Sequence, residues 1–276
     1  MIRLLASVQD ENEADIALRG GADIIDFKDP STGALGALPV ERIAAGVQRV
    51  AQRAPTSATA GDWPLDPAAL TAAADWIGGA GVDFVKLGLL PGARLANCIE
   101  ALAPLAARHR TVAVFFADRR VPLDALRTLR DAGFAGAMID TFDKGAGSLR
   151  QHLSDDALRA FVQLGRELGL MTGLAGSLRI EDIAPLATIG PDLLGFRGAL
   201  CQPGGRAAAL SAERVRAVRE ALNEASGQRA AARTAVRVEY RDTLVPKHRT
   251  VEVASAGSPH SPSFRFSSCP RGEGWN

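Results

Sequence analysis

GGADIIDFKDP at residues 20–30, GGAGVDFVKLGL at 78–89 and DAGFAGAMIDTFDK at 131–144 share one pattern. Each opens on a glycine-containing turn, runs through a short apolar stretch, and carries a lysine at or near its end. Glycine suits the left-handed end of a helix, and an apolar run of this length is a strand. Read outward from these three, the first 224 residues alternate. Strand-like runs are RLLASV (3–8), DIIDFK (23–28), TSATAG (56–61), DFVKLGL (83–89), TVAVFFA (111–117), GAMIDT (136–141), MTGLAGS (171–177) and LLGFRG (193–198). Helical periodicity fills 10–19, 39–53, 66–78, 93–109, 122–132, 154–168, 180–187 and 211–224. Strands this apolar are covered on both faces, as parallel strands are. Eight βα units in one chain predict a (β/α)8 TIM-type barrel, a single α/β domain over 1–224. An open doubly wound sheet would carry a glycine-rich phosphate loop after its first strand; here QDENEAD stands there.

Near residue 225 the apolar periodicity fades, and SAGSPHSPSFRFSSCPRGEGWN is rich in Ser, Pro and Gly. The expectation for 225–276 is a low-complexity, disordered tail. RVEY (237–240) is its one strand-like stretch, with nothing nearby to pair with it.

A net charge of +1 gives no electrostatic case for nucleic acid or an anionic membrane surface. No apolar run approaches the roughly 20 residues of a membrane span. The N-terminus reaches acidic residues too early for a signal peptide, so a cytoplasmic protein is expected. Cys98, Cys201 and Cys269 are three and far apart, and the four histidines have no ligand spacing. Neither a disulfide framework nor a metal site is expected. Self-association through outer helices is left open, because no interface stripe stands out.

The lysines are the next signal. Lys and Arg together number 32, yet the only lysines are Lys28, Lys86, Lys144 and Lys247. Lys28 ends the second predicted strand, Lys86 lies toward the end of the fourth and Lys144 follows the sixth, on the face where barrels place their chemistry. A strand-end lysine is commonly a solvated cation or half of an ion pair. In a chain that uses arginine for charge everywhere else, three lysines at that face argue instead for an amine that can lose its proton and attack a carbonyl. Period-two alternation puts Ile24, Asp26 and Lys28 on one face, and Phe84, Lys86 and Gly88 on another. If both faces point inward, Asp26, Lys28 and Lys86 converge. Two amines there would depress each other's pKa, leaving one as nucleophile and one as proton carrier. Placement does not say which.

Asp140 ends the sixth predicted strand four residues before Lys144, which would hold it ionised for proton transfer. Asp118 ends the fifth and Asp62 follows the third; a helix N-cap is the competing reading for both. At the last two strands, Gly176, Ser177 and Gly198 expose backbone N–H groups and Arg197 adds charge, the makings of a phosphate cradle.

DIIDFKDPSTGALGA, SATAGDWP, DFVKLGL, AMIDTFDKGAGSL, GLAGSLRIEDI and GFRGALC together resemble the (5-formylfuran-3-yl)methyl phosphate synthase family of methanofuran biosynthesis, over roughly residues 2–203. The resemblance implies a lyase of one-carbon metabolism with a TIM-type barrel and no organic cofactor. Its substrates would be triose phosphates: two glyceraldehyde 3-phosphates, one first isomerised to dihydroxyacetone phosphate. They condense through a lysine Schiff base by aldol-type addition and ring closure, with loss of water and one phosphate. It implies Lys28 as the Schiff-base lysine, Lys86 as the proton-transfer lysine, and Asp140 and Lys144 as the sixth-strand pair. Asp118 matches the fifth-strand motif, but Phe116 stands where the family usually has Tyr. Another Schiff-base aldolase of triose phosphates, or a barrel that only binds phosphorylated metabolites, remains the alternative.

Overall fold

The computed structural model describes residues 1–244; the remainder of the expected tail, 245–276, lies outside the described residues. By internal contacts the chain divides into Met1–Ala235, which holds the barrel, and Val236–Asn276. The strands are β1 (Arg3–Val8), β2 (Ile24–Phe27), β3 (Thr56–Thr59), β4 (Phe84–Gly88), β5 (Arg110–Phe116), β6 (Gly136–Asp140), β7 (Met171–Leu174) and β8 (Leu193–Phe196). They form a closed parallel barrel in chain order, with β8 returning to β1.

The helices between them are α1 (Glu11–Arg19), α2 (Val40–Val50), α3 (Pro67–Gly78), α4 (Leu95–Ala101), α5 (Ala103–Ala106), α6 (Ala125–Asp131), α7 (Leu149–His152), α8 (Asp155–Glu167) and α9 (Ile183–Ile189). The single helix expected over 93–109 is two short ones, with a proline, Pro104, at the start of the second. Asp10, Asp66 and Ser154 cap α1, α3 and α8 by accepting a backbone N–H.

The repeated turns have a second use. Asp23, Asp83 and Asp192 each stand just before a strand and accept the N–H of the neighbouring strand's Leu4, Thr56 or Thr172 at 2.6–2.7 Å. The turn that reverses the chain thus also pins the register of adjacent strands at the lower rim.

The last helix, α10, runs from Ala212 to Leu244. Its barrel-facing residues Val215, Val218, Leu222 and Ala225 are buried, and that stripe ends where the sequence changes composition. The helix continues past the loss of apolar periodicity, and Ser226 still accepts the N–H of Ile2. Ala, Arg and Glu are strong helix formers, and the helix runs on through 225–244, including RVEY, where a disordered segment was expected.

Alternation of side chains separates two apolar layers. Leu4, Ile25, Val85, Ala113, Ile139 and Leu194 pack outward beneath the helices. Leu5, Ile24, Phe84, Val112, Met138 and Leu193 fill the barrel. Both parity expectations hold: Asp26 and Lys86 belong to the inward set. The loop after β2 folds over the mouth, where Gly36 O accepts from Asp29 N and from Thr59 Oγ1. This drives Ala34 and Leu35 into the inner layer beside Phe116, which meets Phe142 edge to face at 5.2 Å. Half of the mouth is therefore plugged, and the open half lies beside β6, β7, β8 and β1.

Met138 fills the barrel interior because β7 offers no side chain at Gly173: a Cβ there would lie 2.6 Å from Met138 Cγ and 2.8 Å from Leu193 Cδ1. Gly173→Ala is expected to destabilise the fold by about 1–3 kcal/mol, with partial recovery in Gly173→Ala/Met138→Ala. Chemical denaturation of the three proteins measures this, and equal stability of Gly173→Ala and the parent would contradict it.

Candidate active site

The open half of the mouth is a cavity of about 570 Å³ whose lining includes Ser7, Lys28, Lys86, Asp140, Lys144 and Gly176. That volume lies in the usual range for small-molecule sites. All three barrel lysines reach it from their even-numbered strands.

At its base Asp26 is fully buried. Its Oδ2 accepts from Lys86 Nζ at 2.9 Å and Ser7 Oγ at 3.0 Å, and its Oδ1 accepts from Ser57 Oγ at 2.6 Å. Two hydroxyls fix the carboxylate and the carboxylate fixes Lys86. Lys28 differs. No hydrogen bond to its Nζ forms among the described residues, and its nearest carboxylate oxygen is Asp140 Oδ2 at 3.9 Å. Burial pulls its ammonium down from the ordinary value to about 8; Asp140 opposes this, while Lys144 and Lys86 add to it. About a tenth of Lys28 is then the free amine at neutral pH.

Asp140 is shared. Its Oδ1 accepts from Lys144 Nζ at 2.5 Å and from Thr141 N at 2.7 Å, and Oδ2 faces Lys28. Burial alone would raise its pKa, but the Lys144 and Lys28 cations outweigh it and hold the carboxyl at about 2. Lys144 also donates to Thr141 O, so the turn after β6 is closed around its own lysine.

Asp118 stands one layer away and does not line the cavity. Its two oxygens accept from Phe142 N at 2.6 Å and Asp143 N at 2.9 Å. Those donors outweigh burial and keep its carboxyl below the usual range. Asp62 acts in the same way after β3, accepting from Leu35 N at 3.2 Å. The helix-cap reading of both is corrected: the N-cap positions of α3 and α6 are Asp66 and Asp124, and Asp62 and Asp118 hold the neighbouring loop. Asp118 thus positions the segment that carries Lys144.

Past β7, Gly176 and Ser177 both take positive φ, 114° and 49°. A Cβ on Gly176 would sit 2.9 Å from Thr141 Cγ2 and 3.4 Å from Asp140 C, so the two strand ends meet only because glycine is there. Gly198 opens a 3₁₀ turn, Gly198–Leu200, whose first N–H groups lack intrahelical partners.

Arg197 lines the cavity but spends its donors elsewhere. Nε–H bonds Arg206 O; the two Nη groups bond Ser7 O, Ala208 O and both carboxylate oxygens of Glu13. All five N–H donors of the guanidinium are occupied. Glu13, in the first turn of α1, was not singled out from the sequence, and neither was Arg206, which also lines the cavity. QPGGRAAALS, following the last strand of a barrel, is the signal that could have found Arg206. Among the described residues no cluster of His, Cys, Asp and Glu could hold a metal ion.

The 4-HFC-P synthase family matches residues 4–219. The chain is 47% identical over 220 residues to a putative (5-formylfuran-3-yl)methyl phosphate synthase of Methylorubrum extorquens, covering 80% of this chain and 91% of the relative. It is 38% identical over 216 residues to the (5-formylfuran-3-yl)methyl phosphate synthase of Methanococcus maripaludis strain S2, covering 74% and 91%. Among solved structures it is similar to phosphoribosyl anthranilate isomerase from Thermus thermophilus, with a TM-score of 0.58 at 17% identity over 81% of this chain and 99% of that one. It is also similar to 3-hexulose-6-phosphate synthase from Salmonella typhimurium, with a TM-score of 0.55 at 18% identity over 81% and 100%. At those identities the two structures share the fold.

The electrostatics predict a pH profile. Labelling of Lys28 by a limiting amine reagent, followed by peptide mass mapping, should rise with an inflection near pH 8, because only the free amine reacts. Asp140 supports the charged form, so in Asp140→Asn the inflection should move below that of the parent. An inflection above pH 10, or a shift upward in Asp140→Asn, would contradict this assignment.

Proposed function

Because the chain belongs to the (5-formylfuran-3-yl)methyl phosphate synthase family, we propose that it condenses two molecules of glyceraldehyde 3-phosphate through an imine on Lys28. The observation that carries this reading is the difference between the two inward amines. Lys86 is hydrogen bonded to a fixed carboxylate, whereas Lys28 is buried, unbonded and shifted to about 8. A nucleophilic lysine needs the second condition.

The product's carbon skeleton dictates the bonds. One triose enters through its central carbon and keeps its phosphate, so it reacts as dihydroxyacetone phosphate. The other enters through the carbon that has lost its phosphate, and keeps its aldehyde. Lys28 Nζ attacks that aldehyde and water leaves, giving an iminium. The iminium acidifies the adjacent C–H; loss of that proton expels phosphate from the next carbon. The resulting enol, CH2=C(OH)– beside the restored iminium, adds through its terminal carbon to the ketone of dihydroxyacetone phosphate, and its C–OH becomes C=O. The free hydroxyl of that triose closes the ring on the carbon beside the iminium, the hemiketal and aldol hydroxyls leave as two waters to give the aromatic furan, and hydrolysis of the imine releases the aldehyde and returns the water lost when it formed. The balance is two trioses to one furan, one phosphate and two waters.

Asp140 serves as the counter-ion of the iminium. Its carboxylate stays ionised across the working range, and its Oδ2 already faces Lys28. Lys144 holds Asp140 in place. The proton moves through Lys86, for which Asp26 is the fixed partner. Asp118 orders the Lys144 turn. The phosphates meet the Gly176–Ser177 corner and the Gly198 turn.

The test is borohydride trapping with glyceraldehyde 3-phosphate and peptide mapping. A reduced adduct on Lys28, absent in Lys28→Arg, together with a product absorbing in the near ultraviolet, is expected. An adduct on Lys86 would exchange the two lysine roles; a non-furan product would indicate a different aldolase. No adduct on any lysine of a protein that binds substrate would remove the imine. Lys86→Met should keep the Lys28 adduct and lower turnover by about 10²–10⁴-fold.

A further inference from the structure

The proposed reaction brings two phosphate dianions into a cavity whose expected phosphate-binding arginine, Arg197, has no donor left. We propose that Arg206 is the guanidinium that binds a substrate phosphoryl group, and that Arg197 is the residue that positions it. This rests on the triose-phosphate reading and goes beyond it.

Three observations carry it. First, Arg206 lines the cavity and is half-buried, whereas Arg179 and Arg214, the other arginines on its wall apart from Arg197, are exposed. A partly desolvated cation binds an anion more strongly than a solvated one. Second, Arg206 makes no ion pair among the described residues. Its one side-chain hydrogen bond is long, Nη2 to Gly33 O at 3.4 Å, across the mouth from the β8 loop to the β2 loop. A half-buried guanidinium with one weak bond has donors to give, and phosphate accepts them two at a time. Third, its backbone is fixed although its side chain is not. Arg197 Nε donates to Arg206 O at 2.8 Å, and Arg197 Nη2 donates to Ala208 O at 2.9 Å. The same guanidinium is anchored on the buried carboxylate of Glu13. The loop is tied down at Arg206 itself and two residues later at Ala208, just after Gly204 and Gly205, both with positive φ. Gly198 adjoins it: a Cβ there would lie 4.0 Å from Arg206 Cβ, so the N–H groups of the Gly198 turn and the Arg206 side chain face one volume.

Because the tether acts on the carbonyl of Arg206, truncating its side chain leaves the tether intact. Glycerol 3-phosphate carries the phosphate of the substrate but has no carbonyl to form an imine. Calorimetric titration with it should show binding by the parent, at least tenfold weaker binding by Arg206→Met and an intermediate value for Arg206→Lys, at unchanged thermal stability. Arg197→Lys, which keeps charge but not the fork, should also weaken glycerol 3-phosphate binding. It should leave borohydride trapping of unphosphorylated glyceraldehyde on Lys28 unaltered. Equal affinity of Arg206→Met and the parent would overturn the proposal, as would a parent that does not bind glycerol 3-phosphate. Loss of glyceraldehyde trapping in Arg206→Met would also overturn it, because the residue would then act on Lys28 and not on phosphate. If the parent binds glycerol 3-phosphate through Arg206 but yields no Lys28 adduct with glyceraldehyde 3-phosphate, the imine reading fails and the phosphate site stands.

Discussion

Everything in the mouth of this barrel is arranged around one carboxylate held between two ammonium groups. Asp140 takes Lys144 at hydrogen-bond distance and leaves Lys28 at 3.9 Å. Burying charge is costly unless the charge is paired. The nearer pair meets that condition on its own, so the longer contact need not be tight. Lys28 is therefore attracted enough to stay oriented and not enough to be neutralised. The Lys86–Asp26 pair at 2.9 Å, locked from below by two serines, is the contrasting case on the same floor. Two lysines on even-numbered strands acquire different environments, the carboxylate approaching one about 1 Å closer than the other.

The excess of ammonium over carboxylate has a further effect. Lys28, Lys86 and Lys144 face only Asp26 and Asp140 at these distances. An anionic ligand completes the charge balance that the protein leaves open. The Leu35–Phe116–Phe142 plug confines that ligand to the side of β6, β7, β8 and β1, next to the Gly176 corner and the β8 loop. Phe116, where a hydroxyl was expected from the family pattern, belongs to this plug; its ring packs against Phe142 and no polar atom is needed there.

Much of this was legible in the sequence because it depends on period. Alternation along DIIDFK and DFVKLGL fixes which side chains point inward, and eight repeats fix closure of the sheet. What was not legible depends on partners distant in the chain. The role of Arg197 turns on Glu13, 184 residues away, and nothing local to GFRG marks its donors as occupied. Asp62 and Asp118 sit where caps sit, yet the loops they hold come from the preceding and following βα units. The extent of α10 was missed for the opposite reason. Its first turns carry a buried apolar stripe, whereas 225–244 is rich in Ala, Arg and Glu, whose helix propensity an apolar pattern does not report.

The scarcity of lysine has a consequence for the protein's own durability. Free aldehydes condense with accessible amines, and an enzyme that works among them is exposed to slow self-modification. Throughout the described residues the lysine side chains are Lys28, Lys86 and Lys144, and none is on the outer wall of the barrel. The outward-facing cations of that wall are arginines, whose guanidinium groups stay protonated and are poor nucleophiles toward carbonyls. The barrel's outer wall thus offers no lysine to glycation among the described residues, and the lysine amines are gathered in the mouth.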